Sequence, residues 1–217
     1  MTKEDMVEML KPDNIIAVTT WMTLGDGNIT IPDKGVNGFF QVSHSDAHED
    51  YIRMKSGILG SITGNTVKRY YHSRSDKYNW HLWTKCHPVF TSLRSRIYLD
   101  GRKVLSTHAI KMLTPMCLAI LYQDDGRYSE EKSTISINKP LFSKLELETL
   151  AKYIVDSYGI IFRVRRSCTL KDGSIGHELG LRWSDKDRFF SIISPYIVPS
   201  MFYKVARGSS PKLAMVI

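Results

Sequence analysis

The chain has 217 residues, 42% of them hydrophobic, and 30 Lys and Arg against 22 Asp and Glu give it a formal charge of +8. That length suits one large domain or two small fused ones, and the positive excess favours a polyanionic partner, nucleic acid or an acidic membrane surface. The start, MTKEDMVEMLKPDN, lacks the apolar core of a signal peptide and no apolar run nears the roughly 18 residues of a membrane span, so a soluble intracellular protein is expected.

Cys86, Cys117 and Cys168 are odd in number and lack a CxxC pairing, which argues against a disulfide framework or structural zinc. They read as reduced, buried side chains.

Along the chain one order of elements occurs twice: an apolar helix ending near Asp-Gly, two β-like runs, an amphipathic helix, two basic strands and another helix. The first pass has a helix over Asn14 to Gly25, strands over Asn28 to Ile31 and Gly38 to Ser43, and a helix near Asp46 to Leu59 whose Tyr51, Met54, Ile58 and Leu59 keep helical spacing. The second has a helix over Pro115 to Asp124 and a strand over Thr134 to Ile137. A further helix opens at Ser143 with Glu146 three residues on, a capping box, and buries Leu147, Leu150, Ala151 and Ile154. Basic strands follow in both passes, with Lys68, Tyr70, His72 and Arg74 on one face in the first, and Phe162 and Val164 alternating with Arg163 and Arg165 in the second. Asp26 and Asp125, Trp83 and Trp183, Phe90 and Phe190, and Lys103 and Lys204 recur at offsets of 99 to 101 residues. Two α/β halves are therefore expected, residues 1–105 and 106–217, joined near Gly101 to His108.

Leu24-Gly25-Asp26-Gly27 and Gln123-Asp124-Asp125-Gly126 each close an apolar helix. Either Asp-Gly alone is an ordinary turn. In register with the repeat, they place one carboxylate at the end of each of two helices that pack side by side. Carboxylates so paired repel unless cations lie between them, and hard oxygen ligands suit Mg²⁺.

The segment LAILYQDDG, Leu118 to Gly126, resembles the nine-residue motif that names the LAGLIDADG homing endonucleases, and TTWMTLGDG, Thr19 to Gly27, resembles a divergent first copy. The resemblance, to the single-chain two-motif type, covers nearly the whole chain and is strongest from Leu113 to Lys204. It implies an α/β (α+β) fold of two pseudosymmetric αββαββα halves with packed motif helices and two saddle-shaped antiparallel DNA-binding sheets. It also implies metal-dependent hydrolysis of both strands of a long double-stranded DNA target by a monomer. Mg²⁺ is the implied cofactor, with Mn²⁺ able to substitute and Ca²⁺ binding without supporting cleavage. Asp26 and Asp125 match the metal-binding aspartates, and the backbone carbonyls of Gly25 and Asp124 match further metal ligands. Lys103 and Lys204 match the basic residue that polarises solvent in each half, with Arg102 an adjacent alternative to Lys103. Thr19, Thr20, Trp21 and Ile120 depart from the motif's small residues, which works against close helix packing.

Basic residues interleaved with aromatics mark a DNA-reading surface: Lys68, Arg69, Tyr70, His72, Arg74, Lys77 and Lys85 in the first half, and Arg163, Arg165, Arg166, Lys171 and Arg182 in the second. A β-ribbon fits the major groove, where Arg and Lys read guanine or neutralise phosphate. His44, Asp46 and His48, like His72, His81 and His87, lack the cysteine partners or His-Glu-x-x-His spacing of a zinc site, and Ser45 or Asp46 reads as the cap of the next helix. Lys139-Pro140 reads as a break between elements, and the basic stretch at 207–212 as an end that touches DNA. An intron-splicing maturase, with intron RNA as partner, or a non-cleaving DNA-binding regulator is the rival function. The expected setting is the cytoplasm of a bacterium or phage-infected cell, or an organelle.

Overall fold

The computed structural model describes residues 12–205; the start of the chain and the basic stretch at 207–212 lie outside them. Helix α1 (Pro12–Leu24) leads into β1 (Asn28–Thr30) and β2 (Phe39–Ser45), a 3-10 turn (Asp46–His48), α2 (Glu49–Gly60), β3 (Asn65–His72), β4 (Lys77–Thr84) and α3 (Pro88–Ile97). A small hairpin, β5 (Tyr98–Leu99) and β6 (Arg102–Lys103), and a short α4 (Thr107–Lys111) connect to the second pass. There α5 (Pro115–Asp125) is followed by β7 (Gly126–Ser129), β8 (Thr134–Asn138), α6 (Lys144–Tyr158), β9 (Phe162–Thr169), β10 (Ile175–Leu181) and α7 (Lys186–Ile193). Two four-stranded antiparallel sheets result, ordered β1-β2-β4-β3 and β7-β8-β10-β9, so the αββαββα order and its duplication stand as expected.

Local chemistry explains the boundaries. Thr114 caps α5 by accepting the Cys117 amide, and Pro115 fills the first turn, where a missing N–H costs nothing. Ser143 and Glu146 form the expected capping box on α6, and Gly159 ends that helix at φ 65°, a left-handed conformation that favours glycine. The capping expectation fails at α2: neither Ser45 nor Asp46 bonds the helix start, because Ser45 meets His48 and Asp46 grips Arg69.

The motif helices α1 and α5 pack against each other at the centre, and α5 is buried on every side from Met116 to Gln123. Two of the threonines of α1 are satisfied within the helix, Thr20 and Thr23 donating to the carbonyls of Ile16 and Thr19 at 2.8 Å each, whereas the buried Thr19 hydroxyl has no protein partner among the described residues. Where the helix ends meet, a Cβ added to Gly25 would stand 2.0 Å from Asp124 Oδ2, so this glycine is what lets the Asp124 carboxylate sit against the end of α1.

Two expectations are corrected. Trp83 and Trp183 are not equivalents: Trp83 lies within β4, paired with Gln41, whereas Trp183 lies in a 3-10 turn after β10. Of the three free cysteines only Cys117 is buried; Cys86 and Cys168 are exposed. Phe90 and Phe190, by contrast, are both fully buried in α3 and α7.

Candidate metal centre and nucleic-acid interface

Asp26, just past α1, and Asp125, the last residue of α5, are brought together at the paired helix ends, as the repeat predicts. Asp26 is open, its side chain 43% exposed; Asp125 is 19% exposed and in direct contact with Lys139 Nζ. Burial raises the Asp26 carboxyl to about 6, with Asp124 and Asp125 adding to the effect, and burial likewise raises Asp125 despite Lys139. At both aspartates burial outweighs the neighbouring lysines, which reduce the shift without reversing it.

Asp124 behaves differently from its two neighbours. Its side chain is fully buried, and its Oδ1 accepts from Lys55 Nζ and from the Tyr51 hydroxyl at 2.7 Å each, while Oδ2 accepts the Asp26 amide at 3.1 Å. Burial pushes this carboxyl up, but Lys55 and the hydrogen bonds outweigh it and hold the carboxyl below its usual range. The surface that Asp124 does expose is therefore backbone. His44 completes the cluster: Nε2 lies 3.0 Å from Lys55 Nζ and Nδ1 3.8 Å from Asp26 Oδ2. Burial, and then Lys55, lower the imidazole to about 3, so it is neutral. Donor atoms of Asp26, His44 and Asp124 lie within 4.8 Å of one another, a grouping able to hold a metal ion.

Each half contributes one lysine to the carbonyls beside the aspartates. Lys103 Nζ donates to Gly25 O at 3.0 Å and Gly27 O at 2.7 Å; Lys204 Nζ donates to Gln123 O at 2.6 Å and lies 3.5 Å from Asp124 O. Burial, followed by Lys139, lowers Lys103 to about 8, and burial lowers Lys204. Arg102 turns away toward Leu141 O and Glu146, so Lys103 is the first-half lysine at the site. Lys204 is placed by a staple onto α5: the Tyr122 hydroxyl donates to Lys204 O at 2.6 Å, and Gln123 exchanges hydrogen bonds with Val198 and Tyr196.

The open face of each sheet adjoins these aspartates. Cross-strand pairing puts Gln41, Ser43, Lys68, Tyr70, His72, Lys77, His81 and Trp83 on one face, and Asp26 lines a pocket with Gln41, Ser43, His81 and Trp83. Arg69 is on the opposite, helix-packing face, its guanidinium on both Asp46 oxygens at 2.6 Å and over the Tyr78 ring, so it does not join Lys68. Arg74 occupies the turn and Lys85 the strand's end, both exposed. In the second half a groove of about 990 Å³ is lined by Asp125, Arg127, Ser136, Asn138, Arg165, Arg166 and Lys204. Arg163 pairs with Gly180 and Arg165 with Glu178 on that same face, and Lys171 is exposed in the turn between β9 and β10. Arg182, one residue past the end of β10, is committed to Asp185 at 2.6 Å.

Sequence reading missed Lys55, Tyr51, His44, Lys139 and Gln123 as site residues. One signal was available: Lys55 sits four residues after Tyr51 and four before Leu59, in the apolar stripe of α2, where an unpaired charge is costly.

A family model for the LAGLIDADG DNA endonuclease family matches residues 16–176. The chain belongs to this family. Among curated relatives, DNA endonuclease I-ChuI of Chlamydomonas applanata is 26% identical across 88% of this chain and 93% of its own length. Protein RecA of Mycolicibacterium flavescens is 30% identical across 91% of this chain but only 48% of its own length, and the chain spans about half the length of most of the RecA proteins it matches. A cytochrome b mRNA maturase, bI2, of Debaryomyces hansenii matches 57% of the chain at 30% identity. Among solved structures, the homing endonuclease I-WcaI bound to its DNA recognition sequence superposes with a TM-score of 0.74 at 18% identity, covering 94% of this chain and 93% of that one. Homing endonuclease I-DmoI in complex with DNA and Mn gives 0.52 at 13% identity, over 83% and 96% of the respective chains. The fold is that of these LAGLIDADG endonucleases, two pseudosymmetric halves with antiparallel sheets.

Proposed function

We propose that this protein is a site-specific homing endonuclease that hydrolyses one phosphodiester in each strand of a long DNA duplex, using divalent metal held at Asp26 and Asp125. The observation that carries this reading is the convergence of two carboxylates at paired helix ends, Asp26 open and Asp125 held by Lys139, each flanked by a further lysine from its own half. The residues fit a hard cation: carboxylates and carbonyls are oxygen donors, and acids that burial and mutual repulsion make hard to ionise gain from a cation between them. The ligands would be the Asp26 and Asp125 carboxylates and the carbonyls of Gly25 and Asp124.

Mg²⁺ bound there supplies charge neutralisation, a coordinated water of lowered pKa and stabilisation of the leaving oxygen. The chain's own groups prepare the rest. The Asp124 carboxylate, gripped by Lys55 and Tyr51, fixes the Asp26 amide and hence the direction of the Asp26 side chain. Lys103 and Lys204 hold positive charge beside the carbonyls, where they orient solvent and offset negative charge that grows on the phosphate. Arg163, Arg165, Lys68 and their neighbours hold the duplex across the saddle. I-WcaI and I-DmoI, of the same fold, are seen with DNA, I-DmoI also with Mg, Mn or Ca, which supports duplex DNA as substrate and a divalent ion as cofactor. The working unit is a monomer of two halves, residues 1–105 and 106–217.

The test is to recover a target duplex from a randomised library by binding in Ca²⁺, then add Mg²⁺. Double-strand cleavage by the protein and its loss in Asp125→Asn is the expected result; equal cutting by both would remove the site assignment. The maturase relative supports a second role in intron RNA splicing, which a splicing assay with intron-containing transcript separates from DNA cleavage.

A further inference from the structure

The pseudosymmetry relates two residues of unlike chemistry. Asn28 pairs with Gln41 and Arg127 pairs with Ser136. Asn28 and Arg127 each follow their aspartate by two residues, so Gln41 matches Ser136 and, three residues further along each strand, His44 matches Lys139. Both are buried. His44 offers Asp26 an imidazole at 3.8 Å. Lys139 offers Asp125 an ammonium in direct contact and donates a further hydrogen bond of 2.8 Å to Leu24 O, the last residue of α1.

We infer that Lys139 makes the two half-sites unequal, holding Asp125 against the incoming divalent cation so that the strand served by Asp26 is cut first and a nicked duplex precedes the double-strand break. The inference rests on the metal-dependent nuclease reading. A carboxylate already balanced by an ammonium binds a divalent ion only by sharing or displacing that charge, and two cations on one carboxylate repel. The Leu24 carbonyl gives the ammonium a second fixed partner, and Lys139 is only 9% exposed along its side chain, so it has little room to swing aside. Among the described residues Asp26 has no lysine in ion-pair contact: Lys55, held by Asp124, and Lys139, held by Asp125, act on it only at a distance. The side cavity of about 380 Å³ that Lys139 shares with Lys103 and Asp125 is lined by both halves, so a change in Lys139 is felt at their junction. Lys139 acts through Asp125 and is a positioning residue.

The experiment uses the full chain on a duplex recovered by library selection, labelled separately on each strand, with bound Mn²⁺ counted by electron paramagnetic resonance. Wild type is expected to show two classes of Mn²⁺ site and a transient nick in one fixed strand. Lys139→Gln keeps a donor for Leu24 O but removes the charge; the weaker site should tighten by roughly tenfold or more, the scale on which partners of metal ligands act, and the nick should shorten in lifetime. Lys139→Arg should keep both the inequality and the strand order. Should Lys139→Gln fail to fold, Lys139→Met carries the same comparison, and equal sites in wild type still overturn the inference. Cleavage with equal Mn²⁺ sites and simultaneous cuts in wild type overturns the inference while leaving the nuclease reading intact, and so does an inequality that Lys139→Gln leaves unchanged. Absence of any Mg²⁺-dependent cleavage of the selected duplex overturns both.

Discussion

Lys55 of α2 and Asp124 of α5 form an ion pair of 2.7 Å with both side chains wholly inaccessible, and through it the first half grips the motif helix of the second. Asp50 of the same helix α2 adds a second tie between the halves by accepting the amide of Ser200, in the 3-10 segment Pro199–Lys204, at 3.0 Å. Each buried charge depends on the other, with Tyr51 satisfying part of what remains. Lys55→Met is therefore expected to destabilise the protein by roughly 3–5 kcal/mol, the cost of leaving one buried charge unmatched, or a fall in Tm of roughly 6–20 °C for a chain of this size. Pairing it with Asp124→Asn should recover part of the loss. A double-mutant cycle in urea checks this, and strict additivity of the two changes would mean the pair is not coupled.

The acids give the stability of the metal-free protein a defined pH dependence. Asp26 is raised to about 6 in the folded protein from an ordinary 3.8, so its contribution is fully present below the unfolded value and is lost as pH rises through 6. Lys103 is lowered to about 8 from 10.5, so its contribution is present above the unfolded value and is lost as pH falls through 8. Both terms are therefore unfavourable between pH 6 and 8. Mg²⁺ needs ionised Asp26, so the rise in Tm it brings should be largest in that window and fade below pH 6. At a hundredfold excess over Kd the gain is about 2.7 kcal/mol, several degrees by differential scanning fluorimetry. A Mg²⁺ effect equally large at pH 5 and pH 7.5 would detach the ion from Asp26.

DNA affinity should fall with salt at a log–log slope of roughly −4 to −5 if about half of the ten basic residues identified in the sequence touch phosphate, at about −0.9 for each contact. Lys68→Ala, Arg163→Ala and Arg165→Ala should each flatten the slope by up to about 0.9. Arg69→Ala should leave it unchanged, because Arg69 faces the helix side and holds Asp46. Arg182→Ala should instead lower stability, since Asp185 would lose its clamp while still accepting the Ile161 amide. Fluorescence anisotropy across a salt series separates these outcomes.

The repeat, the motif helices and the two aspartates were legible because they depend on periodicity and short spacing. Period-two alternation also held the information that Arg69 opposes Lys68 and Tyr70, yet clustering by charge grouped them together. Lys139 resembled punctuation before Pro140, and His44 a histidine without the spacing of a zinc site, because their meaning lies in strand register: only the pairing of β2 with β1 and of β8 with β7 makes them counterparts. Asp124 showed the same limit in reverse. Its place in the motif pointed to a backbone ligand, but nothing nearby in sequence announced that Lys55, 69 residues away, would neutralise its carboxylate.

The two site lysines should divide their work by strand. Lys103 holds the carbonyls of Gly25 and Gly27 that flank Asp26, whereas Lys204 holds Gln123 O and approaches the Asp124 carbonyl that precedes Asp125. Removing either charge should slow hydrolysis of the nearer strand by roughly a hundredfold, the scale of one lost electrostatic contact in a site of this kind. Lys204→Met is thus expected to prolong the nicked species, because it weakens the half that Lys139 already restrains. Lys103→Met should slow the first cut and reduce or reverse the strand order. Strand-labelled single-turnover kinetics distinguish these patterns from a shared role, in which both variants would slow both strands alike and leave the ratio of the two cuts untouched. Binding measured in Ca²⁺ should change little in either variant, since each lysine serves the site between the helices rather than the saddle.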